Sequence, residues 1–274
     1  MTPSTSHYLH GTAPEEQQRL STLNRLLNES SLREIAIRPG ERVIDFGAGL
    51  AQLTRDMARA AGVRALGIER SEPQIAEALR QARAVGEEAL IELRAGDVLA
   101  PPLEAPEWGS FDLAHARFVL EHVPEPLNVV RAMVRAVRPG GRIVLEDDDH
   151  WVLRMWPEPV ECALMWRSYV ESFSRIGNDP QVGRKLVALL HEAGARPRRN
   201  RWIFFGGCAG DEVFPLLIEN MVGLYIGARE AILAGGQLDG ESFTAAIAAV
   251  RAWGRRPDAA LWFARCWAEG VRPE

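Results

Sequence analysis

The residues with the clearest chemical potential are Asp45, Gly47 and Gly49, which stand together at the end of a short apolar run. That run is typical of a buried parallel strand, and apolar residues at helical spacing follow from Leu50. Glycines at such a junction, with the small Ala48 between them, let a ligand touch bare backbone, and the carboxylate suits a ligand that carries an ammonium group. We therefore predict a strand–loop–helix unit that binds a nucleotide-like ligand.

A second acid, Glu69, lies 24 residues beyond Asp45, at the end of the next predicted strand, and is followed by Arg70. This spacing is close to that at which βαβ folds place a carboxylate over a ribose. A carboxylate can accept hydrogen bonds from both ribose hydroxyl groups. We predict that Glu69 binds a ribose and include Arg70 in the candidate site.

The residues Gly96, Asp97 and Val98 follow the third predicted strand. Asp97 could accept a hydrogen bond from an adenine amino group, and Val98 offers an apolar contact to the ring. The alternative is a turn in which the Asp97 side chain bonds to its own backbone. Beside the first two sites, we favour the adenine interpretation.

Proton transfer is the other chemistry that the sequence offers. His122 stands just before a predicted helix, and the acidic run 146–149 ends at His150, so either imidazole could act as a general base near neutral pH. Asp147 is the candidate carboxylate of this run. The alternative, a solvated acidic loop, applies to most of its members.

These residues all follow predicted strands, which we place at 43–46, 63–69, 89–94, 111–116 and 142–147, with helices between them. This alternation predicts an α/β fold with a doubly wound parallel sheet whose ligand site lies at the carboxyl ends of the strands. Two later strands, 201–205 and 260–268, are expected at the sheet edge. We divide the single domain 1–274 into a helical lid (1–38), a ligand-binding core (39–150), helical cap insertions (151–180 and 211–254) and the end of the sheet (181–210 and 255–274).

The ordered motifs resemble those of class I S-adenosylmethionine-dependent methyltransferases. The loop follows their pattern acid-x-Gly-x-Gly-x-Gly, with Ala51 in place of the third glycine, and the segments FDLAHARFVLEHVPEP and RPGGRIVLED are similar to their fourth and fifth strands. The resemblance is to small-molecule enzymes with methyltransferase domains of types 11 and 25. It implies a seven-stranded sheet of five parallel strands and an antiparallel edge pair.

The resemblance also implies S-adenosylmethionine as cofactor and a set of cofactor-binding residues. These are Asp45, Gly47, Gly49, Glu69 and Asp97, with Arg117 or Phe118 near the sulfonium and Tyr8 from the N-terminal arm. The expected reaction is methyl transfer to an oxygen, or next in order a nitrogen, of a small molecule in natural-product metabolism. Two alternatives stay open. The first is a nicotinamide-dependent oxidoreductase, which Asp45 and the non-glycine Gln52 disfavour, and the second is a methyltransferase-like binding protein without activity.

Composition excludes several other classes of protein. A net charge of −5 argues against a general nucleic-acid binder, and we interpret the basic stretch 196–201 as a solvated face. We expect no signal peptide, no transmembrane helix and, because the three cysteines are far apart, a cytoplasmic protein. No metal site is expected, because the ligand pattern of catechol-type methyltransferases is missing. A homodimer remains open.

Overall fold

The computed structural model describes residues 27–274 of the chain. Its strands are β1 (Val43–Phe46), β2 (Ala65–Glu69), β3 (Ile91–Ala95), β4 (Phe111–Arg117), β5 (Val137–Asp148), β6 (Arg154–Trp156), β7 (Arg196–Cys208) and β8 (Ala260–Val271). Its helices are α1 (27–35), α2 (Gln52–Ala61), α3 (Glu72–Ala84), α4 (Pro126–Ala136), α5 (Val160–Arg175), α6 (Leu186–Glu192), α7 (Phe214–Gly227), α8 (Arg229–Leu233) and α9 (Gly240–Trp253). None of the described helices is both long and apolar enough to cross a membrane.

The centre of the fold is a parallel sheet with the strand order β3-β2-β1-β4-β5. Strand β1 is buried along its whole length and pairs with β2 on one side and β4 on the other. Asp45 lies beside His115 of β4 in this register. The carboxyl ends of β1, β2 and β4 therefore meet at one edge of the sheet, as the sequence predicts.

The sheet continues with β8, which runs antiparallel between β5 and β7. The predicted α/β sheet and its edge pair are confirmed, but the sheet has eight strands instead of seven. The extra strand is β6, three residues long, which pairs with the start of β8. Its alternating exposure leaves no apolar run, so the sequence carries little strand signal there.

The residues at their N-termini explain how the helices near the glycine loop (residues 47–49) begin. The Ser71 hydroxyl accepts a hydrogen bond from Gln74 N at 3.3 Å and caps α3. Helix α2 has no side-chain cap, and its N-cap residue Ala51 has a φ of +52°. The third glycine position of the loop thus keeps a left-handed conformation that is strained for alanine.

In the sequence, Ser31 and Glu34 match a capping box for a short helix through Ile37, and Asp179-Pro180 matches a capped helix start; both predictions are wrong. Ser31 does not cap a new helix: it lies inside α1, and its hydroxyl is buried against Leu27 O and Glu146 Oε1 at 3.1 and 3.0 Å. The helix predicted from Pro180 is preceded by a 3₁₀ turn, and α6 begins only at Leu186. Asp179 instead accepts from Gln181 N at 3.1 Å, so its side chain bends the chain locally before the helix.

The chain has separate hydrophobic clusters on the sheet and beyond it. β7 and β8 run past the end of β5; α7 packs against β7 there, α8 and α9 pack with α7, and α5 packs with α8 and α9. We name these four helices the cap. Its buried cluster includes Met165, Phe173, Ile218 and Val250 and is closed from below by Leu261 and other residues of β8. The long β7–β8 ribbon therefore carries both the sheet edge and the floor of the cap.

Candidate active site

A cavity of about 320 Å³ lies at the carboxyl ends of the parallel strands and continues beneath the cap. One end is lined by the glycine loop and by Glu69, and the other by aromatic and aliphatic residues of α5, α7 and β8. Its volume lies in the ~300–1,000 Å³ range of small-molecule sites. The cavity therefore joins the predicted cofactor residues to a separate apolar compartment.

The glycine loop forms one wall of the cavity because its backbone makes a tight turn. Gly47 has a φ of +76°, and a Cβ atom at this position would lie 2.5 Å from Val119 Cγ2. Gly47 N and Ala48 N both donate to Ile68 O, at 2.8 and 2.9 Å. These bonds fix the loop to β2 and leave it open to a ligand.

Glu69 is held at the cavity by the backbone on both sides. Its Oε2 accepts from Gly49 N at 2.9 Å, and its Oε1 accepts from Ser71 N at 2.8 Å. Each carboxylate oxygen has further acceptor capacity after these bonds. The carboxylate is thus pre-positioned for a pair of ligand hydroxyl groups, which fits the predicted ribose site.

Asp45 lines the same end of the cavity and is almost completely buried. Its Oδ2 accepts from Thr54 Oγ1 at 2.5 Å, and its Oδ1 lies 2.8 Å from His115 Nδ1. Two short contacts from neighbouring elements hold the carboxylate in one orientation. The role of His115 as its partner was not apparent from the sequence.

The Asp97 side chain forms a turn, which was the alternative to adenine binding: its Oδ1 accepts a hydrogen bond from Leu99 N at 2.9 Å. Asp97 and Val98 nevertheless line the cavity, as does Arg70, so an adenine contact stays compatible with the turn. Gly96 is not among the lining residues, and a Cβ there would lie 2.6 Å from Pro102 Cδ. Its small size is required by packing.

Arg117 and Phe118 line the cavity at the end of β4. The Arg117 guanidinium donates to Asn28 Oδ1 at 3.0 Å and to Ser31 Oγ at 3.2 Å, both on α1. Phe118 has a φ of +55°, a strained conformation for a bulky residue and one that is common at ligand sites. The predicted Tyr8 contact falls outside the described residues.

A second arginine, the buried Arg265 of β8, also lines the cavity and was missed by sequence reasoning. It forms an ion pair with Glu146 of β5 and donates to Ser31 Oγ at 2.9 Å. These partners are more than 100 positions away in the chain, and no local pattern identifies such contacts.

The imidazoles of His122 and His150 lie on either side of one carboxylate. Glu121 Oε2 lies 2.8 Å from His150 Nε2, and Glu121 Oε1 lies 3.3 Å from His122 Nε2. All three residues line the cavity between the cofactor end and the cap. The structure thus brings both predicted histidines together, while Glu121, the residue that joins them, was not predicted.

Burial sets the protonation of this group. It raises the pKa of Glu121 to about 8, with Asp179 adding to the effect. It lowers the pKa of His122 to about 3, assisted by the charges of His150 and Arg70, and lowers the pKa of His150 as well. Near neutral pH both imidazoles are therefore uncharged, the form that can accept a proton.

Asp147 is not brought to the cavity. Its Oδ2 accepts from Leu120 N at 2.8 Å and from Val119 N at 3.2 Å, and its Oδ1 accepts from Asp148 N at 3.1 Å. Its carboxylate thus ties β5 to the chain after β4. The neighbouring Asp148 lines the cavity instead, because successive residues of a strand point to opposite faces.

The cap end of the cavity is apolar and aromatic. Its lining residues are Leu153, Trp166, Tyr169, Phe205, Leu217, Met221, Leu224, Leu261 and Phe263, with Asn220 among them. Trp166 is positioned by a hydrogen bond from its Nε1 to His150 O at 2.8 Å. Three other tryptophans, Trp151, Trp156 and Trp262, are exposed, and none of them lines the cavity.

Comparison with known proteins gives the same picture. A family model described as "Methyltransferase domain", of type 23, matches residues 15–200. The chain is 41% identical over 104 residues to a ubiquinone biosynthesis O-methyltransferase of Ralstonia nicotianae, covering 38% of this chain and 42% of that protein. It is 30% identical over 138 residues to the 27-O-demethylrifamycin SV methyltransferase of Amycolatopsis mediterranei, covering 50% of each.

Among solved structures, the geranyl diphosphate C-methyltransferase of Streptomyces coelicolor A3(2), in complex with Mg²⁺, geranyl-S-thiolodiphosphate and S-adenosyl-L-homocysteine, shares the fold. Its TM-score is 0.55 at 14% identity, over 92% of this chain and 77% of that one. The chain spans about half or less of the length of the curated relatives it matches. The family model nevertheless covers well over half of this chain. The chain therefore belongs to the class I S-adenosylmethionine-dependent methyltransferase family.

Proposed function

We propose that this protein transfers the methyl group of S-adenosylmethionine to an oxygen of a small, largely apolar molecule. The observation that carries the proposal is one continuous cavity, which joins the backbone-held Glu69 to an imidazole–carboxylate group and an aromatic wall. Methyl transfer needs a cofactor site, an acceptor site and exclusion of water between them. The cavity provides a place for each.

The residues at the glycine-loop end fit the cofactor. Glu69 has acceptor capacity for both ribose hydroxyls, and the absence of a Cβ at Gly47 and Gly49 lets a ligand approach the backbone. Asp45 supplies a buried carboxylate for the amino group of the methionine part. When bound, S-adenosylmethionine supplies an electrophilic methyl group on a sulfonium.

Arg117 and Phe118, at the end of β4, are the two candidates for a contact with the sulfonium, and the positive charge of the sulfonium distinguishes them. An aromatic face attracts a cation, whereas a guanidinium repels one. We therefore assign the sulfonium contact to Phe118. Arg117 is better suited to the carboxylate of the cofactor, together with Arg265 on the same cavity wall.

The cap end determines which acceptors bind. Trp166, Phe205 and Phe263 present rings to the cavity, and Leu224 and Met221 supply aliphatic contacts from α7. Such a lining favours an aromatic or polycyclic body whose polar reacting group points toward the histidines. A hydroxyl on a phenolic or polyketide-like molecule has this chemistry.

His122 and Glu121 provide the proton acceptor. A neutral imidazole next to a carboxyl group can take the hydroxyl proton as the oxygen attacks the methyl group. Burial weakens this base, and a negative charge on Glu121 would stabilise the imidazolium that forms while the carboxyl group orients the ring. An oxygen acceptor is favoured because the ubiquinone and rifamycin relatives are both named for methylation of an oxygen, and nitrogen comes next. Natural-product metabolism, a cytoplasmic location and a homodimer remain predictions, the first supported by the rifamycin relative.

The proposal is tested first by isothermal titration of the purified chain with S-adenosylmethionine, S-adenosylhomocysteine and NAD⁺. We expect binding of the first two and none of the third. Binding of NAD⁺ alone would favour the oxidoreductase alternative. A panel of phenols and hydroxylated polyketides is then incubated with the protein and trideuteromethyl cofactor, and products are identified by mass spectrometry.

The role of His122 is tested with the His122→Asn variant. General acid–base catalysis contributes roughly 10²–10⁴-fold, so we expect a loss of kcat in this range with unchanged cofactor affinity. His191→Asn is the matched control, because His191 is exposed on α6. Equal turnover of His122→Asn and the wild type would contradict the assignment, and absence of any turnover by the wild type would favour the non-catalytic alternative.

A further inference from the structure

We propose that Glu121, Asp148 and His150 form a binding site for one divalent transition-metal ion on the acceptor side of the cavity. The inference rests on the proposed function, because it places the ion where the acceptor's reacting group would lie. The absence of a metal site was expected only because one known ligand pattern is missing from the sequence. The three residues found here belong to a different arrangement.

The first argument is geometry. Each of the three residues offers one ligand atom, and these atoms all lie within 4.8 Å of one another. Ligand bonds of roughly 2.0–2.2 Å place atoms around one ion up to about 4 Å apart, so small side-chain rotations complete the site. The backbone around them is fixed, because His150 N donates to Pro180 O at 3.0 Å and Asp179 N donates to Glu121 O at 3.1 Å.

The second argument is uncompensated polar atoms. Asp148 Oδ1 and His150 Nδ1 are buried, and in the described part of the chain neither has a hydrogen-bond partner. The His150 side chain is only 4% exposed. Among the described residues, no lysine or arginine forms an ion pair with Glu121 or Asp148. A buried polar atom without a partner is costly, and a metal ion would satisfy Asp148 Oδ1 while sharing Glu121 with its histidine neighbours.

The acids next to Asp148 in the chain, unlike Asp148 Oδ1, have hydrogen-bond or ion-pair partners. Asp149 is paired with Arg184 through two contacts of 2.7 and 2.8 Å. Asp147 accepts three backbone hydrogen bonds. Within this stretch Asp148 is the acid that lines the cavity, and its Oδ1 has no hydrogen-bond partner among the described residues. This unpartnered oxygen marks a place for a cation that comes from outside the chain.

The donor set indicates which ion would bind. Two carboxylates and one imidazole suit Mn²⁺, Zn²⁺ or Co²⁺ better than Mg²⁺, which prefers oxygen ligands alone. Three protein ligands leave coordination positions open toward the cavity. A hydroxyl group of the acceptor can take one of these positions, where the ion makes it more acidic, and His122 is adjacent to receive its proton.

The test uses the full chain after treatment with a chelator. Mn²⁺ is added, and free ion is followed by its electron paramagnetic resonance signal. We expect saturable binding of one ion per chain and a nitrogen coupling from the imidazole in pulsed spectra. Glu121→Gln and Asp148→Asn should each weaken binding by at least about tenfold, since even indirect changes around a metal cost 10–100-fold. His150→Gln should remove the nitrogen coupling.

Asp149→Asn is the matched control, because this acid is adjacent in sequence but paired with Arg184. Its Mn²⁺ affinity should equal that of the wild type. Asp148→Asn is the least disruptive ligand variant, because the Asp148 side chain is half-buried and its Oδ1 has no partner to lose among the described residues. Calorimetric cofactor binding, measured on every variant, reports whether the fold is intact.

Two results would overturn the proposal: no saturable binding of Mn²⁺ or Zn²⁺ to the wild type, or binding that is unchanged in Glu121→Gln and Asp148→Asn. Either would mean that the cluster holds protons instead of a metal ion. Neither result bears on cofactor binding. Conversely, a chain that binds Mn²⁺ but not S-adenosylmethionine would sink the proposed function and leave the metal site standing.

Discussion

The two ends of the cavity are built in different ways. At the glycine-loop end, the cavity is lined by the loop backbone and by acids fixed by the backbone, as Glu69 is by Gly49 N and Ser71 N. At the cap end, side chains from α5, α7 and β8 make the surface. The first arrangement tolerates few substitutions and suits a constant ligand. The side-chain surface at the cap end can be altered by single substitutions, so it suits a ligand that differs from one enzyme to another.

The largest effect is expected from Gly47→Ala, which tests whether the loop backbone is indispensable. A left-handed alanine costs about 1–2 kcal/mol, and the clash with Val119 Cγ2 adds about 1–3 kcal/mol of overpacking. We expect a loss of stability in urea unfolding and a loss of cofactor binding by calorimetry.

The matched control for this variant is Gly62→Ala. Gly62 has a φ of +69°, but an alanine methyl group there would meet nothing within 4 Å among the described residues, so only the backbone cost applies. Equal stability losses in the two variants would mean that the approach of Val119 to the loop has no energetic weight.

Next in size is Glu69→Gln, which tests the acid at the same end. An amide cannot accept from both Gly49 N and Ser71 N as the carboxylate does, and it loses charge-assisted bonds to the ribose. We expect cofactor affinity to fall by about 1.5–3 kcal/mol. Glu72→Gln, exposed on α3, should leave the affinity as it is. If both variants bind alike by calorimetry, the ribose assignment is wrong.

A substitution at the cap end should affect only the acceptor. Leu224→Trp fills part of the cavity from α7, so we expect kcat/KM for the acceptor to fall by at least about tenfold, a change worth about 1.4 kcal/mol. Cofactor affinity should not change. Leu216→Trp, on the exposed side of the same helix, is the control. A parallel loss of cofactor binding in Leu224→Trp would show that the two ends are not independent.

The smallest effect is expected from Ala51→Gly. Glycine relieves the left-handed strain of about 1–2 kcal/mol but loses about 0.4–1 kcal/mol through a more flexible unfolded chain and about 0.8 kcal/mol from the fully buried methyl group. We expect the free energy of unfolding in urea to change by about 1 kcal/mol or less, with the same cofactor affinity. A larger loss of stability would indicate that the left-handed conformation of Ala51 is not strained.

The sequence was informative where a site depends on residues close together along the chain. The glycine loop, Glu69 and the parallel strands follow from short-range spacing, and each was located within a few residues. The cluster around Glu121 was not, because its contact with His150 spans 29 positions. The contacts of Ser31 and Arg265 with Glu146 span 115 and 119 positions. Such pairs depend on how β5, β8 and α1 pack together, and a single sequence contains no pattern that predicts this packing.

Strand β8 sets the distance between the charged part and the apolar part of the cavity. Arg265, Phe263 and Leu261 lie at alternate positions, share one face and line the cavity in order from its charged part to its apolar part. Each step of two residues advances the chain by about 6.6–6.8 Å. The span between these side chains is therefore set by covalent length. Inserting one residue between them would turn part of this face away from the cavity, so this strand should accept changes of side chain far more readily than changes of length.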